Sequence, residues 1–171
     1  MKKLTIKSLI TSMVVASPLL FSLDVSADDG KIYSGSECVH RSGSTSYSRN
    51  HGMFMNTSDK ERLIVTCPVT KDVFAHNLKS GWLRLVDTSR DENIECSMYS
   101  KFRKQNGSWT NYWSGRVYSK GWGTHTQKIS FNGMGHVSSN SNYFVRCIIP
   151  KRDIGTKSAS YILSYSATEY N

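Results

Sequence analysis

The chain predicts an all-β fold: a two-sheet antiparallel sandwich, immunoglobulin-like or jelly-roll-like, of about nine short strands stapled by two disulfides. Three observations carry this. Apolar and polar residues alternate at period two through most of the chain. No stretch repeats apolar residues at helical spacing, and Gly-, Asn- and Ser-rich punctuation recurs between the alternating stretches.

Strands are expected over residues 32–40, 53–56, 63–69, 82–87, 93–102, 109–118, 125–131, 143–149 and 161–167. In 63–69 the inward row is Leu63, Val65, Cys67 and Val69. In 93–102, Ile94, Cys96, Met98, Ser100 and Phe102 face one way while Glu95, Ser97, Tyr99 and Lys101 face the other, the mark of a half-buried strand. Tyr143, Val145, Cys147 and Ile149 form a third inward row, and Tyr161, Leu163, Tyr165 and Ala167 a fourth. Turns are expected at Ser42-Gly43-Ser44, Ser80-Gly81, Asn106-Gly107-Ser108, Gly121-Trp122-Gly123 and Asn132-Gly133. Asn106-Gly107 suits a two-residue hairpin, because both residues tolerate positive φ. Pro68 and Pro150 cannot donate to a ladder and should mark strand ends or edges.

The first 27 residues carry a different message. Lys2, Lys3 and Lys7 precede an apolar stretch containing Pro18, and Val25-Ser26-Ala27 offers small residues to a signal peptidase. Residues 1–27 are therefore expected to be an export signal and residues 28–171 a single β-sandwich domain, periplasmic or extracellular, with no transmembrane segment after cleavage. Removing three Lys and one Asp with the signal lowers the net charge from +9 to +7, an excess that favours anionic partners.

Cys38, Cys67, Cys96 and Cys147 form an even set downstream of that signal, and an oxidising compartment makes two disulfides the expectation. Gaps of 29, 29 and 51 positions contain no close ligand pair, so no metal site is expected, and no cofactor motif appears. Four cysteines allow three connectivities. An internal echo favours one of them. Glu37-Cys38 is matched by Glu95-Cys96, and Leu63-Ile64-Val65-Thr66-Cys67-Pro68 is matched by Tyr143-Phe144-Val145-Arg146-Cys147 with Pro150 beyond it. If each half carries one strand of each kind, the pairs are Cys38–Cys67 and Cys96–Cys147, and the bridges are expected to pin the two layers together.

Cys38, the run 52–58, Val65-Thr66-Cys67-Pro68-Val69 with Asp72, Leu85-Val86-Asp87, Cys96, residues 143–150 and residues 161–169 together resemble a pattern of small exported bacterial proteins of uncharacterised activity. The resemblance implies a disulfide-linked β-sandwich and assigns no functional residue.

The densest chemistry lies in 109–122, which holds three of the four tryptophans. On one extended strand Trp109, Trp113 and Val117 would share a face, and Tyr112, Arg116 and Tyr118 the other, with Trp122 following. Flat rings on a sheet surface stack on sugars or unpaired bases, and arginine adds contacts to phosphate or carboxylate. Trp109, Tyr112, Trp113, Arg116, Tyr118 and Trp122 are the candidate binding residues. The function expected is a non-catalytic exported module contacting an acidic glycan, lipopolysaccharide or another anionic surface, with nucleic acid a weaker fit.

Two alternatives are an exported hydrolase, with His51 or His125 meeting Asp72 or Glu169 in the fold, and a structural or partner-binding subunit. No Gly-x-Ser-x-Gly elbow is present. The acidic run 87–93 lacks the spacing of a calcium loop and reads as a connection between strands.

Overall fold

The computed structural model describes residues 30–71, 78–134 and 141–169; the expected signal segment, with Asp72, His76 and His136, lies outside them. In chain order the first six strands are β1 (Gly30–Ser34), β2 (Val39–Gly43), β3 (Tyr47–Asn50), β4 (Met53–Asn56), β5 (Leu63–Val69) and β6 (Leu78–Val86). The second six are β7 (Glu95–Arg103), β8 (Trp109–Trp113), β9 (Val117–Tyr118), β10 (Gln127–Asn132), β11 (Asn142–Ile149) and β12 (Tyr161–Glu169). They form two six-stranded antiparallel sheets, so the all-β sandwich is the observed fold. Sheet I runs β10-β6-β12-β4-β3, with β1 continuing the β12 edge beyond β4. Sheet II runs β2-β5-β11-β7-β8, with β9 continuing the β7 edge beyond β8.

Period-two alternation becomes a layered core. Leu83, Leu85, Ile129, Ile162 and Tyr165 face inward from sheet I and meet Leu63, Val65, Met98, Val145 and Ile149 from sheet II, all nearly inaccessible to solvent. Each such side chain stabilises the fold by about 1.5–3 kcal/mol through burial. Gly81 lies inside β6 rather than in the expected turn. A Cβ there would stand 2.2 Å from the Met98 Cε and 2.7 Å from the Ser166 carbonyl oxygen, so the glycine is a packing device between the layers.

The expected strand over 32–40 is two strands. A single 3₁₀ turn at Gly35–Glu37, capped by Ser34 and closed by Glu37, carries the chain from sheet I to sheet II. Gly35 is required there because a Cβ would lie 2.2 Å from the Ile162 carbonyl oxygen. The turn with two consecutive positive φ values is also not at Asn106-Gly107. It is His51-Gly52, with φ of 50° and 78°, joining β3 and β4 where Asn50 pairs with Met53. In β12 a bulge between Ile162 and Ser164 shifts the alternation, so Ile162 rather than Tyr161 and Leu163 turns inward, in phase with Tyr165 and Ala167 below the bulge.

The disulfides join Cys38 to Cys67 and Cys96 to Cys147, the pairing the echo favours. The echo has a structural meaning. The order β2-β5-β11-β7 is symmetric about the β5/β11 junction, with an apolar Cys strand and a Glu-Cys strand on each side. Both bonds lie within sheet II, however, and neither crosses between layers. Cys96 and Cys147 are direct cross-strand partners, and Cys38 precedes Val39, which pairs with Thr66 next to Cys67. Pro68 follows the last residue that β2 pairs, so β5 is locally an edge there, as a residue without an N–H demands.

The layers are joined by packing and hydrogen bonds. The Tyr165 hydroxyl of sheet I donates to the Pro68 carbonyl at 2.7 Å, and Tyr33, stacked on Tyr165 at 4.9 Å, exchanges hydrogen bonds with Thr70. Burial of the Tyr165 ring raises its phenol pKa. Buried Asn56 of β4 donates to the carbonyls of Glu61 and Pro150 and accepts from the Ser58 N–H.

Loops of 29 and 51 residues closed by the two bonds correspond to about 3–4 kcal/mol of stabilisation each. We expect Cys96→Ser/Cys147→Ser to lower the urea midpoint by about 2 M at an ordinary slope. Equilibrium unfolding by tryptophan fluorescence measures it, and an unchanged midpoint would refute the account.

Candidate functional site

β8 forms the outer edge of sheet II, so no strand covers its far side among the described residues. Its hairpin with β7 closes through a Lys104 N–H to Ser108 carbonyl bond at 2.8 Å, with Gly107 alone at positive φ, a longer loop than the expected two-residue turn. The Asn106 carboxamide accepts from the Ser108 N–H at 3.0 Å and from its hydroxyl at 2.7 Å, which shapes the loop locally.

Register then fixes the faces. Trp113 pairs with Tyr99 and Trp109 with Arg103, all on the outer, solvent side of sheet II, whereas Tyr112 pairs with Ser100 on the inner side. Trp109 and Trp113 stay 57% and 52% exposed. Tyr112 is also exposed, because at an edge even the inner side opens to solvent, and it stacks on Phe102 at 6.0 Å. Neither face of this strand is sealed.

Across the strands an aromatic row appears. Trp113 of β8, Tyr99 of β7 and Phe144 of β11 lie side by side with centroid separations of 6.3 and 5.3 Å and ring planes within 15° of parallel. Pro68 of β5 pairs with Phe144 and extends the row. Next to it runs a polar row, Asn111, Lys101 and Asn142. Trp109 stands beyond that row with the Lys101 Nζ 4.9 Å from its ring centroid, a cation–π contact. Trp109 and Trp113 are four positions apart, about 13 Å along an extended strand, so the two indoles bracket the polar row.

Beyond Trp113 the chain leaves the ladder. The Ser114 N–H donates to the Met98 carbonyl at 3.0 Å, its hydroxyl accepts from the Met98 N–H at 3.2 Å, and Gly115 has a φ of 84°. The break resets the alternation. Val117 now faces Cys96 and packs on the core, and Tyr118 faces Glu95 on the outer side, the reverse of the grouping expected for a continuous strand. Arg116 pairs with Glu95 at 3.2 Å, and Arg62 grips Glu92 with two hydrogen bonds of 2.7 Å. Those two arginines are neutralised. Lys101, Arg103 and Arg146 have no carboxylate partner among the described residues, so the uncompensated charge of this face lies along the aromatic row.

Trp122 is elsewhere. It follows β9 at the sandwich end, 60% exposed, under the Arg90 guanidinium at 4.9 Å. It borders a small hollow with Thr88 and Thr156, next to a hollow of about 380 Å³ lined by Arg90, Lys151, Arg152 and Asp153. Thus five of the six candidate residues fall along the β8–β9 edge, with Tyr112 on its inner side, and the sixth does not join them. Tyr99, Phe144 and Lys101 complete the outer face and were not among the candidates. Their signal was an aromatic or long cationic side chain at a position that the alternation assigns to solvent.

The acidic run 87–93 is built around Asp87, which is fully buried. Its carboxylate accepts from the N–H groups of Ser89 and Ile94 at 3.1 and 3.0 Å, from the Ser160 hydroxyl at 3.0 Å, and from the Ser119 hydroxyl. Protein donors occupy both oxygens, which makes Asp87 a knot between three loops rather than a ligand for a cation. His51 and His125 are exposed, and neither makes a hydrogen bond or ion pair with an Asp or Glu among the described residues. No group of three metal-binding side chains occurs among the described residues. No helix there is long and apolar enough to cross a membrane.

No family model matches the sequence. No curated protein matches it either. Solved structures similar to the fold include a GH26-CBM35 β-(1,4)-mannanase of Podospora anserina, at a TM-score of 0.47 and 10% identity over 85% of this chain. The chain spans 28% of that enzyme's length. A low-affinity xylan-binding module, CBM86, of Roseburia intestinalis is similar at a TM-score of 0.47 and 10% identity, covering 82% of this chain and 96% of the module. A family 11 carbohydrate-binding module of Clostridium thermocellum is similar at a TM-score of 0.32 and 8% identity, covering 81% of this chain and 84% of its own. These likenesses concern the layering of the sandwich, and the functional reading rests on the side chains of this chain.

Two outcomes follow from the geometry. Asp87→Ala would strand the buried Ser89 N–H and two hydroxyls and leave the Ile94 N–H only the Ser119 oxygen at 2.9 Å, costing about 3 kcal/mol and on the order of 10 °C in Tm by thermal circular dichroism; a shift under a degree would contradict the knot. The Arg62 hydrogen bonds hold the Glu92 carboxyl below its ordinary pKa. Their contribution is therefore complete above the unfolded carboxyl value and disappears as pH falls through the lower folded one. With the guanidinium exposed and the carboxyl partly so, it should be under about 1 kcal/mol. Urea unfolding of wild type against Glu92→Gln, from neutral pH down to pH 3, should converge at the acid end.

Proposed function

We propose that the protein is a non-catalytic module that holds polysaccharide across the outer face of sheet II. The observation that carries this is the row Trp113–Tyr99–Phe144 set beside Asn111, Lys101 and Asn142, with Trp109 beyond. Aromatic rings supply apolar area for the C–H faces of sugars, and the carboxamides and ammonium offer hydrogen bonds to hydroxyls. The indoles at the two margins set a contact a few sugar rings long. Rigid strands carry every member of the surface, so little ordering cost accompanies binding.

The free cations Lys101, Arg103 and Arg146 favour polymers with carboxylate or sulfate groups over neutral ones. Amide donors between the rings suit hydroxyl-rich chains better than a nucleic-acid backbone, which calls for a continuous basic groove. Two disulfides fit an oxidising compartment, extracellular or periplasmic. Export would follow cleavage after Ala27, leaving the domain that begins at Asp28.

Affinity electrophoresis through gels containing xylan, mixed-linkage glucan, mannan or polygalacturonate tests the reading. Wild type should be retarded by at least one polymer, Trp113→Ala and Tyr99→Ala should each weaken retardation about tenfold, and Trp122→Ala should leave it unchanged. Retardation by none of them, or loss with Trp122→Ala alone, would overturn it. Lipopolysaccharide and single-stranded DNA serve as comparison ligands, and preferential binding to either would also count against a glycan.

A further inference from the structure

The outer face of sheet I carries a second cluster that the reading above does not use. Trp82 and Arg84 lie two residues apart on β6, and Lys128 of β10 pairs with Arg84, so all three side chains leave the same side of the sheet. The Arg84 guanidinium lies 5.3 Å and the Lys128 Nζ 5.1 Å from the centroid of the same indole. Arg84 and Lys128 are exposed, and neither has a carboxylate partner among the described residues. Their neighbours on this face, Ser130 and Ser164, are short hydroxyl side chains that leave the indole and its cations standing clear.

Two like charges beside one ring repel each other, and the negative face of the indole offsets that only in part. On sheet II two of the arginines, Arg62 and Arg116, each take a glutamate. Among the described residues no carboxylate meets Arg84 or Lys128 on sheet I. An anion brought in from outside would satisfy both heads at once, and the charge-assisted hydrogen bonds would be strong for an exposed surface. The face is open and flat, so it lacks the enclosure that a small free anion needs. It suits an acidic group repeated along a polymer, with the half-buried indole as apolar support for the sugar that bears it.

We propose that Trp82, Arg84 and Lys128 form a second contact, specific for carboxylate or sulfate groups of an acidic polysaccharide, on the opposite side of the sandwich from the aromatic row. The contact does not depend on the first. With both in place, one molecule can bridge two polymer chains.

The test starts from the full chain carrying Tyr99→Ala and Trp113→Ala, which removes the aromatic row. That variant should still bind dextran sulfate and polygalacturonate at low salt and should not bind neutral dextran. Adding Arg84→Gln and Lys128→Gln, both at exposed positions, should weaken binding by about tenfold or more and flatten its dependence on salt. Unchanged circular dichroism would show the fold intact. Undiminished binding after the charge removal, no binding of either acidic polymer before it, or equal binding to phosphatidylglycerol vesicles would overturn the proposal. Failure of wild type to be retarded by xylan, mixed-linkage glucan and mannan would weigh against the sheet II reading alone, whereas failure with polygalacturonate and dextran sulfate would overturn this contact.

Discussion

The bond between Cys96 and Cys147 sets the register on which the rest of sheet II depends. It joins residues that face each other directly, so β7 cannot slide along β11. Three positions away the same register places Tyr99 opposite Phe144. A slip of one residue would send Tyr99 toward the core and Met98 toward solvent, exchanging the apolar interior for the aromatic outer face. Cys38–Cys67 ties the entry of β2 to β5, so each outer pair is covalently aligned while β5 and β11 meet through their ladder. The aromatic row is thus a consequence of packing as much as of surface chemistry.

Sheet I has no covalent tie to sheet II among the described residues, and its attachment is polar at the ends and apolar in the middle. Asp87 gathers the loops at one end, Asn56 ties β4 to the strand end after Ile149, and Tyr165 reaches across to Pro68. Each of these is a buried or half-buried polar group with its partners in place, the condition under which such groups specify one arrangement instead of weakening it. Division of labour follows. One layer supplies a fixed surface, and the other closes the core behind it.

Much of this was legible from residue order. Period-two rows in β5, β7 and β11 named the buried faces, and the repeated Glu-Cys and apolar-Cys strands pointed to the disulfide partners because the repeat is a symmetry of sheet II. What stayed hidden had physical reasons. Ser80-Gly81 looks like a turn, yet its glycine makes room for Met98 of the other layer, a contact no local pattern reports. Likewise, 109–118 alternates as one strand, but the backbone break at Ser114 and Gly115 reverses the faces, so Tyr118 joins the tryptophans instead of Tyr112. Trp122 sits close in sequence to Trp113 and apart from it in space, whereas Phe144 is remote in sequence and in the same row. Expecting the bridges to span the layers failed because adjacent strands of one sheet already bring cysteines within bonding reach.

Confinement of both staples to a single layer also bears on how the molecule would respond to pulling. Force along the strands of sheet II is met by a sulfur bridge within the β2–β5 and β7–β11 pairs, whereas β5–β11 and β7–β8 resist through their ladders. Tension normal to the sandwich meets only dispersion forces and a handful of polar ties, which let go one after another. Such a body is stiffest within its two stapled strand pairs and gives way by peeling between its layers.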